Sequence, residues 1–546
     1  MYSKKIQEHN AGLHNRTMGR TDEVKNSHGA FVFAIDQLKK LRRFLILGTE
    51  GGSYYSEEKA LTVSAATNII DMIKKNGKIV VDEILAISTG GRCPRNNTCV
   101  FALALCIKFG NDLVRHAAYE IIKRVCRTGT DLFMLCEDLK VLDKGWSRGL
   151  RNGIAQFYLD RDPSGLAYQL IKYRQRNGWS HTDVLRLSHV KPEDPEYNNL
   201  FRWVVGKELL AKKHPLVKAF EEVQALGTID ITRTVNLILE NNLPREALPT
   251  ELLNQKRIWE ALLPGMPPHA LLRNLGKMAN IGLMQSNFDA PVKLAVAKLT
   301  DRESIKKSKL HPITILNALK VYAQGHGEKG DLTWYPVQAI KDALNEAFYL
   351  GFDNVEPTNK NFFIGVDVSP SMFNMKHSKV NNMAICAAEA AMAMSMAIAR
   401  TEKSHEIHGF AGTRQITARG YGLNSMTPIN ISARSTLEQS LTEAARCAQS
   451  WGGTDCSLPM KYALAKKLPV DVFVIITDNE TNQGVKPTAA LNEFRQKTGR
   501  NAKLIVLATS VNPYTVADPT DPGQMDIVGF DTNVPNIIRS FVMDEF

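Results

Sequence analysis

From about residue 30 to residue 350 the apolar positions recur at helical spacing. Ala66, Ile69, Ile70 and Ile73 fall at i, i+3, i+4 and i+7, and Asn76-Gly77 stops that run. Further runs cover 78–88, 98–109 and 112–128, each closing near a glycine. Strand-like alternation is almost absent. A long series of short helices with turn-length breaks predicts stacked helical pairs, an α-solenoid of HEAT type. Such a solenoid offers a long curved surface, which suits binding better than catalysis.

Near residue 360 the pattern changes. Phe362-Phe-Ile-Gly-Val366 is an apolar run of strand length, and 384–399 reads as a helix apolar on most faces. A strand at 406–410 follows, then a helix at 437–450 opened by Ser435-Thr-Leu-Glu438, the pattern of a capping box. A strand at 471–476, a helix at 488–497, a strand at 503–508 and a last helix at 534–542 complete the series. Apolar strands alternating with helices predict a doubly wound, mostly parallel sheet covered on both faces. The division expected is an unplaced N-terminal segment 1–29, a helical domain 30–360 and an α/β domain 361–546.

Open α/β sheets hold ligands at the carboxyl ends of their strands, and there the sequence carries an unusual set of oxygens. The first strand runs into Asp367-Val-Ser-Pro-Ser371, the loop after the 437–450 helix carries Gly452-Gly-Thr454-Asp455, and the 471–476 strand ends in Thr477-Asp478. Converging at one sheet edge, these loops would assemble two carboxylates and three hydroxyls. Hard oxygen donors of low total charge suit Mg²⁺, with Mn²⁺ or Ca²⁺ as alternatives. The set resembles the metal-ion-dependent adhesion site of the von Willebrand A fold. That resemblance implies Ser369, Ser371 and Thr454 as direct ligands, Asp367 and Asp478 as direct or water-bridged ones, and one position open to a partner's acidic group. An Asp-x-Ser-x-Ser loop alone is common in surface turns; three pieces in order, each at a strand end, are not. No Gly-x-x-x-x-Gly-Lys-[Ser/Thr] loop is present, and two carboxylates are too few for a two-metal nuclease. No Ser/His/Asp, Cys/His or His-Glu-x-x-His arrangement stands out, so a catalytic role is not expected.

Charge divides the chain unequally. Of the net +12, residues 361–546 contribute nothing, with 17 basic and 17 acidic side chains, and the excess lies in residues 1–360. Segment 144–218 is richest, with 14 basic against 7 acidic residues. A neutral domain joined to a basic one predicts that the basic one meets a polyanion. The densest cluster, from Lys172 to His189, holds Lys172, Arg174, Arg176 and Arg186, two histidines, Tyr173 and Trp179. Such cations pair with phosphates and aromatic rings stack on bases, although Trp179 reads more readily as core. Lys172, Arg174 and Arg176, two apart, cannot share one helix face. The eight cysteines show no Cys-x-x-Cys spacing, no run of 18 apolar residues is present, and the opening Met1-Tyr-Ser-Lys-Lys lacks a signal core. A cytoplasmic protein without membrane contact is expected.

Several stretches resemble the Ro autoantigen (TROVE-domain) family: 172–192, Arg43-Phe-Leu-Ile-Leu-Gly-Thr-Glu-Gly-Gly-Ser-Tyr-Tyr55, Leu271-Leu-Arg-Asn-Leu-Gly-Lys-Met278, Lys309-Leu-His-Pro312, Gly452-Gly-Thr-Asp-Cys-Ser-Leu-Pro459 and Thr477-Asp-Asn-Glu-Thr481. Val321-Tyr-Ala-Gln-Gly-His-Gly327 leans toward bacterial members. The resemblance implies a monomeric ring of HEAT-like repeats closed by the von Willebrand A domain, with a basic central hole. It implies binding of 3′ single-stranded ends of misfolded RNAs in that hole and of small Y RNAs on the outer surface. It further implies association, through the Y RNA, with a 3′-to-5′ exoribonuclease, polynucleotide phosphorylase. The Y-RNA surface maps onto Lys172, Arg176 and His189, with Arg174 in the same cluster; Arg273 and Lys277 are secondary candidates for the inner surface. Two rival classes stand beside this reading. A metal-dependent adhesion module would need export, and a metal-dependent ribonuclease would need more carboxylates.

Overall fold

The computed structural model describes residues 20–26, 29–47, 67–93, 95–176, 178–308, 310–327, 331–352, 356–373, 384–412, 416–417, 420–421, 426–432, 434–447, 453–509, 512, 514–531 and 534–545. Ala66, residues 48–55 of the Arg43 stretch, Asn177, Lys309, helix residues 448–450, Gly452 and most of the 1–29 segment lie outside them.

The helical half forms as its periodicity predicts. Thr67–Gly90 is a helix broken at Asn76, which leaves the helical region at φ −151° and ψ 64°. Gly77 follows because a Cβ there would lie 2.6 Å from a Val114 methyl, so the glycine lets helix Asp112–Val125 approach closely. The run at 112–128 ends three residues early. Thr128 instead caps the next helix, Gly129–Val141, in a reciprocal box with Asp131. Helices near one another in sequence pack together, Thr67–Gly90 on Asn97–Phe109 and Asp112–Val125, and Pro312–Ala323 on Gln338–Leu350.

The C-terminal half is a six-stranded sheet. From one edge its order is Gln524–Val528, Lys503–Ala508, Val472–Thr477, Asn361–Asp367, Ser404–Phe410 and Met426–Pro428. All neighbours are parallel except the last pair. Alternate residues of one strand enter opposite cores. Ile364 and Val366 join the core shared with the helical domain, and Phe363 joins a second core under helices Leu458–Ala465 and Pro487–Thr498. Burial on both faces is why these strands read as unbroken apolar runs. The capping box at the 437 helix is displaced by one residue: Thr436 and Gln439 exchange the bonds, and Glu438 pairs with Lys341 at 3.0 Å.

The boundary expected at residue 29 does not hold. Glu23–Lys25 and Phe31–Ala34 form an antiparallel hairpin that pairs with Tyr514–Thr515 of the C-terminal domain. Asn26 donates to the Thr481 carbonyl at 2.7 Å, and Arg20 pairs with Asp518 at 2.7 Å. The next helix, Gln37–Leu47, is clasped as well. Arg43, 1% exposed, meets both carboxylate oxygens of Asp526 at 2.9 Å and donates to the Asn512 and Tyr514 carbonyls. At the far end of the helical run, Lys320 binds Glu389 at 2.5 Å, and Asn345 accepts from the Leu437 amide at 2.8 Å. Both ends of the helical domain are thus tied to one α/β domain.

Candidate metal centre and nucleic-acid interface

Parallel register sets Val366 beside Ile476, so the strands Asn361–Asp367 and Val472–Thr477 deliver Asp367 and Thr477 together at their carboxyl ends. Asp367 is fully buried, its Oδ1 accepting from the Ser369 amide at 2.9 Å and its Oδ2 from the Thr477 hydroxyl at 2.7 Å. The Ser369 and Ser371 hydroxyls stand 3.0 Å apart, and Ser371 reaches the Asp478 carboxylate. Thr454 is pinned to the same edge: its amide donates to Asn482 Oδ1 at 2.8 Å, and its carbonyl accepts from the Asn482 and Gln483 amides. The Asp367–Ser371 and Thr477–Asp478 loops therefore meet, and Thr454 is bonded to Thr481, Asn482 and Gln483, just beyond them in the chain. Thr477, which orients Asp367, was legible only as a neighbour of Asp478.

Asp455, beside Thr454, is occupied elsewhere, accepting from the Ser457 amide at 2.9 Å. Among the described residues no three His, Cys, Asp or Glu side chains gather as a metal site. Any cation held here would rest on hydroxyls and the Asp367/Asp478 pair. The electrostatics fit that assignment. The Asp478 carboxyl lies deep although its residue keeps some exposed surface, and burial, then the Asp367 charge, push it up to about 7. Burial likewise raises Asp367, against the bonds from Ser369 and Thr477. Two carboxylates held together away from water repel each other unless a proton or a cation lies between them.

The basic cluster begins where helix Pro163–Lys172 ends. Lys172 is its last residue, and Arg176 lies in a two-residue strand, Gln175–Arg176, paired with Trp179–Ser180. The three cations are thereby released from the single helix face that could not hold them. The Lys172 ammonium lies 5.2 Å from the Tyr168 ring and 5.6 Å from the Tyr173 ring, half-buried between them. Arg174 is exposed, its guanidinium 5.0 Å over Phe220, and Arg176 is exposed, bonded to its neighbour's carbonyl. Trp179 belongs to the core and donates to Glu137 at 2.7 Å.

Lys172, Arg174 and Arg176 line one open groove of about 760 Å³, together with Arg245, Phe220 and Trp203. Arg245 had no signal in the sequence; a chain reversal near Pro244 brings it in. Of the groove's two acids, Glu221 is engaged by Lys213 and by Trp203 Nε1 at 2.9 Å, and Glu246 lies 3.8 Å from Arg245.

His189 does not line that groove. It is exposed at the far end of helix His181–Ser188, in the left-handed region at φ 52°. Arg273 and Lys277 share one face of helix Pro268–Asn280, Arg273 exposed and Lys277 bonded to Asn254 at 2.9 Å. Lys172 and Arg273, expected on different surfaces, act on one group. Partial desolvation and then the charges of Arg273, Arg127 and Lys172 hold the His269 imidazole below its ordinary range, against the Ser308 carbonyl. Lys172 also lines a smaller cavity with Ala270 and Asn274 of the helix that carries Arg273.

The whole chain has counterparts among known proteins. Residues 24–207 and 204–321 match the model of the TROVE domain, and residues 361–542 match that of the Ro60 vWA domain. An RNA-binding protein RO60 of Deinococcus radiodurans is 35% identical, over 96% of this chain and 97% of its own. One of Caenorhabditis elegans is 34% identical, over 95% and 90%. A crystal structure of the Deinococcus radiodurans RO (RSR) protein superposes with a TM-score of 0.68 at 34% identity, covering 94% of this chain and all of that one. Among the described residues no helix is long and apolar enough to cross a membrane.

Proposed function

The chain belongs to the TROVE-domain Ro family, and on that premise we propose that it is a non-enzymatic RNA-binding protein serving RNA surveillance. In this reading a structured small RNA of the Y class lies on an outer basic face, and the 3′ single-stranded ends of misfolded RNAs enter a central hole. The Y RNA tethers a 3′-to-5′ exoribonuclease, polynucleotide phosphorylase. The relatives named as RNA-binding proteins support the RNA partner, and the observation that carries the reading is the groove of Lys172, Arg174, Arg176 and Arg245 with aromatic walls. Guanidinium and ammonium groups there meet phosphates, while the half-buried Trp203 offers apolar surface to a base.

The second element is a divalent cation, Mg²⁺ first, held by Asp367, Ser369, Ser371, Thr454 and Asp478. Bound there, it would offer an acidic group of a partner a coordination position; the protein's own part is to hold two carboxylates and three hydroxyls at one sheet edge. Labelled RNA incubated with the protein and Mg²⁺ should remain intact; steady shortening would replace the scaffold reading by a ribonuclease. RNA with a free single-stranded 3′ tail should also outcompete blunt duplex of equal length, and equal affinities would remove the hole from the scheme.

The groove yields a sharper expectation. Replacing Arg174 and Arg176 together by alanine should lower the salt slope for structured RNA by nearly two units, about 0.9 for each duplex phosphate no longer neutralised. Single-stranded tails should be spared. Lys172→Ala should weaken both RNAs, because Lys172 lines both this groove and the cavity beside the helix that carries Arg273. His189→Ala should reduce affinity with little change of slope, if its imidazole donates a hydrogen bond rather than neutralising a phosphate. Titrations at several salt concentrations decide. Equal reductions for both RNAs in the Arg174/Arg176 variant would mean a single shared site.

A further inference from the structure

Apart from the metal loops and the basic groove, the fold brings two thiols together. All eight cysteines are buried. Cys93 lies just after helix Thr67–Gly90, and Cys99 lies in the first turn of helix Asn97–Phe109, their Sγ atoms 3.9 Å apart. At 8% Cys93 is the most exposed of the eight, whereas Cys99 is fully covered. We propose that Cys93 and Cys99 form a reversible disulfide on reaction with hydrogen peroxide, Cys93 attacking and Cys99 resolving.

A disulfide requires an S–S separation of about 2.05 Å, so the two sulfurs must close by about 2 Å, a shift within reach of side-chain rotation. The surroundings assign the roles. The thiol of Cys99 and then the Arg127 guanidinium hold the Cys93 thiol below the ordinary cysteine range, while Cys93 and burial push Cys99 up. The Cys93 thiolate attacks the peroxide; an S–O bond forms, the O–O bond breaks and the departing oxygen leaves as water. Cys99 then attacks the Cys93 sulfur; the S–S bond forms, the S–O bond breaks, and the Cys99 proton leaves with the hydroxyl as a second water. Two thiols supply the two electrons that reduce the peroxide, and an external dithiol reverses the change. The position gives the bond a consequence. Arg92, next to Cys93, pairs with the buried Asp531 of the C-terminal domain at 3.1 Å, so the disulfide would form beside an ion pair that joins the two domains.

The test is peroxide treatment of the full-length protein, alkylation of remaining thiols, trypsin digestion and mass spectrometry. Cleavage after Arg92 and Arg95 places the two cysteines on separate peptides, 93–95 and 96–108. The expected product is those peptides joined through Cys93 and Cys99, restored to free thiols by a dithiol. In Cys99→Ala the link should vanish and Cys93 should stop at a sulfenic acid trapped by dimedone. The same link in Cys106→Ala assigns the resolving thiol to Cys99 even if Cys99→Ala fails to fold. The proposal is overturned if both thiols remain alkylatable in treated wild-type protein, if Cys93 passes to a sulfinic acid without cross-linking, or if the link is missing in folded Cys106→Ala.

Discussion

Replacing Arg43 by alanine should destabilise the protein by about 3–5 kcal/mol, roughly two to four orders of magnitude in the folding equilibrium. The reason lies in what would remain. Arg43 and Asp526 are 1% and 3% exposed, joined by two bonds of 2.9 Å, and the guanidinium also serves the Asn512 and Tyr514 carbonyls. Alanine leaves a carboxylate sealed from water without its counter-ion. The damage falls at the junction, because Gln37–Leu47 is the helix through which the helical domain grips the sheet edge at Gln524–Val528. Urea unfolding of wild type and variant measures it, with a lower midpoint expected. A paired change, Arg43→Met with Asp526→Leu, should recover part of the stability, since apolar groups of similar volume need no partner. Recovery stays partial because two carbonyls lose their donor. A destabilisation below about 1 kcal/mol for Arg43→Ala would mean that the junction is held by other interactions.

Asp367→Ala should abolish binding of Mg²⁺ or Mn²⁺ and leave RNA affinity within about threefold, roughly 0.6 kcal/mol. The buried carboxylate is the hub of the loop cluster, bonded to the Ser369 amide and the Thr477 hydroxyl, whereas the groove cations lie in the other domain. Proton linkage adds a second observable. In cation-free protein the folded-state value of Asp478, about 7, stands above its ordinary 3.8. Its protonated form therefore contributes stability fully below 3.8, and this contribution is lost as pH rises through about 7. A cation replaces the proton, so the rise in Tm on adding Mg²⁺ should be small below about pH 6 and large above about pH 7.5. Removing the Asp367 charge should reduce the cation-free pH dependence, while the part due to burial remains. Calorimetric titration with the metal and thermal unfolding across pH check both. A folded Asp367→Ala that loses tenfold or more in RNA affinity would join the two sites functionally.

Sequence alone determined what short-range physics encodes. Helical periodicity placed the solenoid, and the break at Asn76-Gly77 is real because residues three and four apart face the same core. Apolar runs marked strands such as Lys503–Ala508, since both faces of a parallel sheet are covered. The Asp367–Ser371 and Thr477–Asp478 loops were legible because each is a short strand-end segment, and parallel winding brings strand ends to one edge; Thr454 lies instead between two helices, and packing ties it to Asn482. Tertiary structure decided the rest. No local pattern tells Glu23–Lys25 and Phe31–Ala34 that they will pair with Tyr514–Thr515, or Arg43 that its partner is Asp526. Such pairings are chosen by which buried charge and which open strand edge the complete fold leaves to be satisfied. Arg245 enters the groove only through packing, and Lys172 borders a further cavity with Ala270 and Asn274 because helix Pro268–Asn280, distant in sequence, packs nearby. Spacing along the chain reports one helix face at a time; which faces meet is settled by burial of apolar area over the whole molecule, and that sum has no local expression.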